Sequence, residues 1–167
     1  MFQKINLSLE DLDYFKLKGK IVFDLPTFKE YSIKDLDYLN ETLYKKVKFT
    51  NKPFANITEI LYPGASPHTD KWPTAINFYF DIGDDETFFW KEHQPTISFK
   101  KKLTIYNKDT LDQVSSFKAN KGDCYLINVG QCIHSVKMYA PNTTRKILRL
   151  FWFNRSFDQV LNDLNTL

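Results

Sequence analysis

The 167-residue chain has few cysteines, few histidines, little net charge and no long apolar run. Two cysteines, Cys124 and Cys132, are too few for a disulfide scaffold and lack the close spacing of metal clusters, so we expect both to be reduced and buried. A net charge of +3 is too small to indicate a nucleic-acid or membrane partner. No apolar segment could cross a bilayer, and residues 1–4 lack the character of a signal peptide, which favours a cytoplasmic protein.

Aromatic residues and short apolar segments separated by turns are abundant. The 15 Phe, 9 Tyr and 3 Trp favour strands, where flat side chains pack well. Alternating patterns predict strands that include 74–81, 97–106 and 145–153. Apolar stripes predict helices over 32–46, capped by Ser32, and over 156–164, capped by Ser156, whereas the polar segment 107–116 is predicted to be a loop or a short helix. The pattern indicates one mainly β domain, a β-sandwich or jelly roll with flanking helices.

A possible metal site begins at His68 and Asp70, which are two residues apart. If this segment is extended, both side chains lie on one face, because strand side chains alternate with period two. A second histidine from another strand, His134, could complete the site. Two imidazoles and one carboxylate form the ligand set of non-haem ferrous oxygenases, which leaves coordination positions open. The alternative is that His68 and Asp70 only hydrogen-bond each other or the backbone, and His93 has the setting of an exposed loop residue.

Two arginines follow His134 in the sequence. Arg145 lies 11 residues further on, and Arg149 shares its face of the predicted strand. A guanidinium group grips a carboxylate with two parallel hydrogen bonds, and an arginine buried in an aromatic strand needs an anion. The anion could be a structural Asp or Glu, or a dicarboxylate ligand.

The order His68, Asp70, His134, Arg145 resembles the ferrous and 2-oxoglutarate-dependent dioxygenases, in particular the aspartyl/asparaginyl β-hydroxylase-like and related phage oxygenases. Further segments are similar to strands of these enzymes: 75–78, 86–89, 122–128, 134–136 and 145–149. The family's fold is a double-stranded β-helix, a cupin-like jelly roll. The resemblance therefore implies this fold for a single domain over 1–167, with its core at about 55–153 and helical support at both ends.

The resemblance also implies roles for individual residues. The three metal ligands would bind Fe(II), and Arg145 would hold the distal carboxylate of 2-oxoglutarate, while Arg149 helps or faces the substrate. Three further residues would contact the co-substrate or support the site: Tyr62, Asn77 and Tyr79. For the two tyrosines, packing in the core or rim is the alternative. The implied reaction uses O2 to hydroxylate a C–H bond and releases succinate and CO2.

Two other functions fit parts of the pattern. A cupin-type metal-dependent small-molecule binder or isomerase would share the barrel, although such a site usually has a second histidine where this chain has Asp70. A metal-free β-sandwich interaction module would need no metal ligands. The sequence favours a small molecule or a peptide side chain as substrate over nucleic acid, and it does not specify the substrate or the oligomeric state.

Overall fold

The computed structural model describes residues 1–7, 11–93 and 104–165, and its main feature is a pair of antiparallel sheets. The strands are, in chain order, β1 Phe2–Ile5, β2 Lys18–Leu25, β3 Phe28–Ile33, β4 Phe54–Leu61, β5 Gly64–Thr69, β6 Thr74–Asp81, β7 Asp85–Glu92, β8 Thr104–Ile105, β9 Leu111–Phe117, β10 Cys124–Ile127, β11 Ile133–Met138 and β12 Thr144–Trp152. The helices are α1 Tyr14–Leu17, α2 Leu36–Leu39 and α3 Phe157–Asn165, and a π-helical turn over Asn40–Tyr44 extends α2. None of these helices in the described ranges is long and apolar enough to span a membrane.

The described strands form a seven-stranded major sheet, in the order β1-β10-β6-β12-β4-β3-β2, and a five-stranded minor sheet, in the order β8-β5-β11-β7-β9. This arrangement confirms the predicted mainly β jelly roll with flanking helices. Strands β1, β2 and β3 belong to the major sheet, so the sheet includes segments that precede residue 55, where the sequence placed the start of the core.

Alternation along β12 divides the interior into two cores. Leu148, Leu150 and Trp152 pack in a cluster with the helices, whereas Ile147 and Phe151 face a second cluster that contains residues of both sheets. This division follows from the period of two along a strand. The face that contacts the second cluster also carries the two arginines, and it is this inter-sheet space that holds the candidate site.

Several local predictions are confirmed. Strand β6 spans the predicted residues 74–81, and Ser156 caps α3, since its Oγ accepts a hydrogen bond of 3.3 Å from the Gln159 backbone N–H. Both cysteines are free thiols, but only Cys124 is buried, and Cys132 is partly exposed. Of the predicted strand over 97–106, residues 97–103 lie outside the described residues, and β8 occupies Thr104–Ile105.

Two local predictions are wrong. The first helix does not begin at Ser32, because that residue lies in β3 and its hydroxyl bonds to the Lys20 backbone in β2, while Asp35 caps α2. The segment 107–116 is a loop with a short helical turn only as far as Thr110, and β9 then begins. Strand β9 was missed because it lies at the edge of the minor sheet. Three consecutive exposed residues, 112–114, interrupt the alternation of buried and exposed side chains that would have indicated a strand.

A buried carboxylate joins the N-terminal strands to β4. Glu59 is only 8% exposed and accepts hydrogen bonds from Tyr14 of α1, from Lys18 at 2.6 Å and from Tyr31 at 2.9 Å. These bonds hold the pKa of Glu59 below its usual value, although burial opposes the shift. The bonds tie the β2–β3 hairpin to the centre of the major sheet, and β3 contributes a wall to the candidate site.

We expect Glu59→Ala to lower the free energy of unfolding by about 2 to 3 kcal/mol, because the change leaves a partly buried ammonium and two phenols without their partner. Urea unfolding followed by circular dichroism measures the effect. Glu41→Ala is the matched control, since its ion pair with Lys45 is exposed and should contribute less than about 0.5 kcal/mol. Equal effects of the two changes would contradict the structural role assigned to Glu59.

Candidate metal centre

The structure brings His68, Asp70 and His134 together. Strands β5 and β11 are antiparallel neighbours in which His68 lies directly opposite His134, with ring centres 4.4 Å apart. Asp70 directly follows β5. Its Oδ1 lies 3.6 Å from Nε2 of His68, and its Oδ2 lies 4.0 Å from Nε2 of His134. The three potential ligand atoms all lie within 4.8 Å of one another. These atoms are therefore close enough to hold one metal ion.

Backbone carbonyls fix the orientation of both imidazole rings. Nδ1 of His68 lies 2.7 Å from the Ser66 carbonyl oxygen, and Nδ1 of His134 lies 3.0 Å from that of Cys132. Because a carbonyl oxygen only accepts, each Nδ1 must carry the hydrogen and donate it. Each Nε2 then keeps its lone pair on the side of Asp70, which is the arrangement that a metal-binding histidine needs.

Burial keeps the second histidine neutral. It lowers the pKa of His134 to about 4, with a further decrease from the neighbouring His68, while Asp70 opposes the shift. A neutral imidazole binds metal without first losing a proton.

One oxygen of the Asp70 carboxylate lacks a hydrogen-bond partner among the described residues. Asp70 is 7% exposed, and its Oδ2 has no hydrogen bond within the part of the chain that the structure describes. An unpaired buried carboxylate oxygen is costly, and a cation between the three side chains would compensate it. The residues therefore fit a divalent metal ion with two imidazole ligands and one carboxylate ligand.

A small, largely enclosed cavity between the sheets adjoins the metal ligands. Strands β6 and β12 supply part of its wall, with Asn77 directly opposite Arg149 and Tyr79 opposite Ile147. His68 and His134 line the same cavity, so a molecule inside it would be next to the metal. Of the residues predicted to contact a co-substrate, four lie here: Asn77, Tyr79, Arg145 and Arg149.

Arg145 is bound by protein groups. It is 1% exposed, forms an ion pair with Asp85 and donates a hydrogen bond of 2.8 Å to the Thr87 hydroxyl. Asp85 and Thr87 belong to β7, so this pair joins the minor sheet to β12 of the major sheet. A structural carboxylate thus compensates the charge of Arg145, as one of the alternatives from the sequence allowed.

Arg149 is less completely satisfied. The nearest carboxylate is Glu30 of β3, 3.8 Å from Nη1, and the Nε of Arg149 has no partner among the described residues. Three other buried polar atoms of the cavity also have no hydrogen bond within those ranges: Oδ1 of Asn77, the hydroxyl of Tyr79 and Nε of Arg145. Unpaired buried polar atoms in one cavity require a partner, which a bound water or a polar ligand would supply.

Tyr62 lies outside this cavity, contrary to the expectation from sequence. It is 49% exposed in the turn after β4, which ends at Leu61, so the alternation that places Ile60 at the cavity does not continue to position 62. His93 is also remote, and its Nε2 lies 3.1 Å from a carboxylate oxygen of Asp112. No local pattern identified Phe28 and Glu30 as site residues, because they approach the site from β3, a strand distant in sequence.

Comparison with known proteins identifies the fold. No protein-family model and no curated protein matches the sequence. Among solved structures, ycfD of E. coli matches with a TM-score of 0.51 and 11% identity over 75% of this chain and 32% of that chain. Hazelnut (Corylus avellana) vicilin has a TM-score of 0.44 and 11% identity, over 81% of this chain and 31% of that chain. Oxalate decarboxylase of Bacillus subtilis also has a TM-score of 0.44 and 11% identity, over 77% and 26%.

These likenesses concern the fold and not the activity. The chain spans about a third or less of the length of each of these proteins. Of these three matches, the one to ycfD exceeds a TM-score of 0.5, and it agrees with the cupin-like jelly roll that the sheet order shows.

We expect Asp70→Ala and His134→Ala each to weaken Mn(II) or Fe(II) binding by about 100-fold or more, because removal of a ligand costs more than the 10- to 100-fold loss typical of a residue that supports a ligand. Anaerobic equilibrium dialysis measures the affinity. His93→Ala is the control, since this histidine lies outside the site. Unchanged metal affinity in Asp70→Ala would contradict the assignment.

The metal-free protein should lose stability as the pH falls from about 6.5 to about 4, the unperturbed and folded pKa values of His134. Between these two pH values His134 is protonated in the unfolded chain but neutral in the folded chain. A falling pH therefore lowers the free energy of unfolding. Thermal unfolding in the presence of a chelator measures the slope against pH. His134→Gln should have a shallower slope, and identical slopes would show that His134 is not buried as a neutral imidazole.

Proposed function

We propose that this protein is a dioxygenase that depends on Fe(II) and 2-oxoglutarate and hydroxylates a C–H bond of its substrate. The observation that carries the proposal is the cavity beside the three metal ligands, where Arg149, Asn77 and Tyr79 present unpaired polar atoms. A metal site with two imidazoles and one carboxylate leaves positions for a bidentate co-substrate and for O2.

Arg149 is the residue that we assign to the distal carboxylate of the co-substrate. It lines the same cavity as His134, and its nearest carboxylate, Glu30, lies 3.8 Å from Nη1. Arg145 already donates to Asp85 and Thr87, so a ligand carboxylate would have to compete with a buried structural pair. The sequence resemblance assigned this role to Arg145, and the choice between the two arginines rests on these contacts.

Tyr79 and Asn77 would orient the bound co-substrate. Burial raises the pKa of the Tyr79 phenol, although Arg145 opposes the shift, so the hydroxyl keeps its proton at neutral pH and can donate a hydrogen bond. Asn77 offers an amide on the same face of β6. The apolar walls, which include Phe28, Ile60 and Ile127, would exclude water around these polar groups and so strengthen their electrostatic interactions.

His68, Asp70 and His134 would hold the metal. Bound Fe(II) would supply coordination positions for the co-substrate and O2, and the electrons that activate O2. The protein keeps both histidines in the tautomer that binds metal, and it keeps the Asp70 carboxylate within 4.0 Å of both Nε2 atoms. In the overall reaction, 2-oxoglutarate and O2 give succinate and CO2, and one oxygen atom enters the substrate as a hydroxyl group.

A cupin-type metal-dependent enzyme or binder of a small molecule is the second candidate. The carboxylates near the two arginines favour it, since Asp85 pairs with Arg145 and Glu30 lies 3.8 Å from Arg149. A cavity whose cations already have anionic neighbours suits a ligand with less negative charge than a dicarboxylate. Turnover of 2-oxoglutarate distinguishes the two candidates, because only the first consumes it.

We expect the anaerobic protein with Fe(II) and 2-oxoglutarate to show the weak visible charge-transfer band of the chelate, and to form succinate slowly when air is admitted. Arg149→Ala should weaken 2-oxoglutarate binding by about 10-fold or more, through loss of a charge-assisted hydrogen bond worth about 1.5 to 3 kcal/mol. Titration of the band measures the affinity.

Two further variants make the test specific. Arg145→Ala should mainly lower the free energy of unfolding, because it leaves Asp85 buried without its cation, and Lys121→Ala should change neither property. Absence of both the band and succinate, in a protein that binds Fe(II), would refute the co-substrate and favour the cupin-type alternative. Loss of 2-oxoglutarate affinity in folded Arg145→Ala but not in Arg149→Ala would return the role to Arg145.

A further inference from the structure

A partly exposed aromatic surface lies at one end of the inter-sheet space, where two exposed phenylalanines pack beside a buried tryptophan and a half-buried phenylalanine. We call it the aromatic shelf, and its members are Phe54, Trp72, Phe151 and Phe153. The rings of Trp72 and Phe151 stack with centres 4.4 Å apart, and those of Phe54 and Phe153 meet edge to face at 5.1 Å. Phe54 is 58% exposed and Phe153 is 52% exposed. Exposed apolar side chains that form a contiguous group, rather than scattered single residues, indicate a binding surface.

The shelf lies at the same end of the barrel as the metal ligands. Strand β12 runs antiparallel to β6, so Phe151 is opposite Ala75 at the start of β6, whereas Lys146 is opposite Asp81 at its end. The start of β6 closely follows Asp70 in the sequence. The Arg149 guanidinium lies 6.0 Å from the centre of the Trp72 ring, which joins the shelf to the cavity. A molecule on the shelf would therefore lie at the metal end of the barrel.

The polar groups of the shelf are hydrogen-bond donors. The Lys71 ammonium lies 5.5 Å from the Trp72 ring centre and 6.0 Å from that of Phe153. The indole Nε1 of Trp72 is buried, and it has no hydrogen-bond acceptor within the described ranges. Since an ammonium and an indole N–H can only donate, a complementary ligand must supply an acceptor, and a negative charge suits Lys71 best.

We propose that the aromatic shelf binds the substrate of the metal centre, and that this substrate carries an aromatic ring with an attached carboxylate. The ring packs on Phe54 and Phe153, where aromatic geometry adds to the burial of apolar area. The carboxylate lies at Lys71 and Trp72, separate from the Arg149 position that we assign to the co-substrate. This inference rests on the proposed function for the chemistry, but the binding step can be measured without turnover.

Four small probes separate the contributions of ring and charge. Phenylacetate has both features, cyclohexylacetate keeps the charge without the aromatic ring, 2-phenylethylamine keeps the ring with the opposite charge, and acetate lacks a ring. Ligand-observed NMR titration of the protein with Zn(II) present should show the tightest binding for phenylacetate and the weakest for acetate and 2-phenylethylamine. Equal binding of phenylacetate and 2-phenylethylamine would overturn the proposal.

Substitutions place the probe on the shelf. Phe54→Ala and Phe153→Ala should each weaken phenylacetate binding by about 3- to 10-fold, the range expected for one aromatic contact. Lys71→Glu should weaken it by a similar factor and reverse the preference over 2-phenylethylamine. The matched controls are Phe15→Ala, which removes another exposed phenylalanine, and Lys121→Glu, which makes the same charge change in a distant turn; both should leave binding unchanged.

Proximity to the metal is tested with Mn(II) in place of Zn(II). The paramagnetic ion should broaden the ring protons of bound phenylacetate, and the Asp70→Ala variant should abolish the broadening. If phenylacetate binds to the shelf but its ring protons are not broadened, the substrate role is overturned. The same holds if sedimentation shows a concentration-dependent dimer that Phe153→Ala disrupts, because the shelf would then be a contact between two copies of the chain. Failure of the proposed function appears separately, as absence of the Fe(II) and 2-oxoglutarate band, and leaves the shelf titration readable.

Discussion

The pairing of β5 with β11 is the constraint on which the site depends. It sets His68 directly opposite His134, although 66 positions separate them in the chain, and backbone carbonyls hold both rings with Nε2 free. Ladder hydrogen bonds determine this register, so a slip by one residue would turn a ring to the other face of the sheet. The two histidines of the candidate site thus take their relative position from the sheet, and Asp70 directly follows β5.

Buried charge around the site serves two purposes. The ion pair between Arg145 and Asp85 joins the two sheets inside the barrel, and such a pair demands good geometry because both charges lose their hydration. Arg149 lies two strand repeats further along the same face, where its charge is only partly compensated. The two arginines lie on the same face of β12 in similar sequence contexts, but they differ in how free their guanidinium groups are to bind a ligand. The difference comes from β7 and β3, which supply the carboxylate neighbours of Arg145 and Arg149, respectively.

The proposed arrangement places the co-substrate and the substrate on neighbouring surfaces at the metal end of the barrel. Polar groups of β6 and β12 line the enclosed cavity, and the aromatic shelf lies outside it, joined to it by the contact of Arg149 with Trp72. In this proposal the metal would lie between them, and O2 chemistry would occur in a region with little water. This division explains why the chain has aromatic side chains exposed at the metal end of the barrel when most of its other aromatic residues pack inside.

The sequence alone determined the mainly β class, the strand β6, the helix α3 and the three candidate metal ligands, because alternation and rare residue types are local properties. It did not determine the length of the first helix, the edge strand β9, the exposure of Tyr62 or the carboxylate partners of the two arginines. Those features depend on which strands become neighbours, and contacts between residues distant in sequence have no local signature. Only the folded sheets decided that Asp85 would compensate Arg145 and that four aromatic residues would meet beside Asp70.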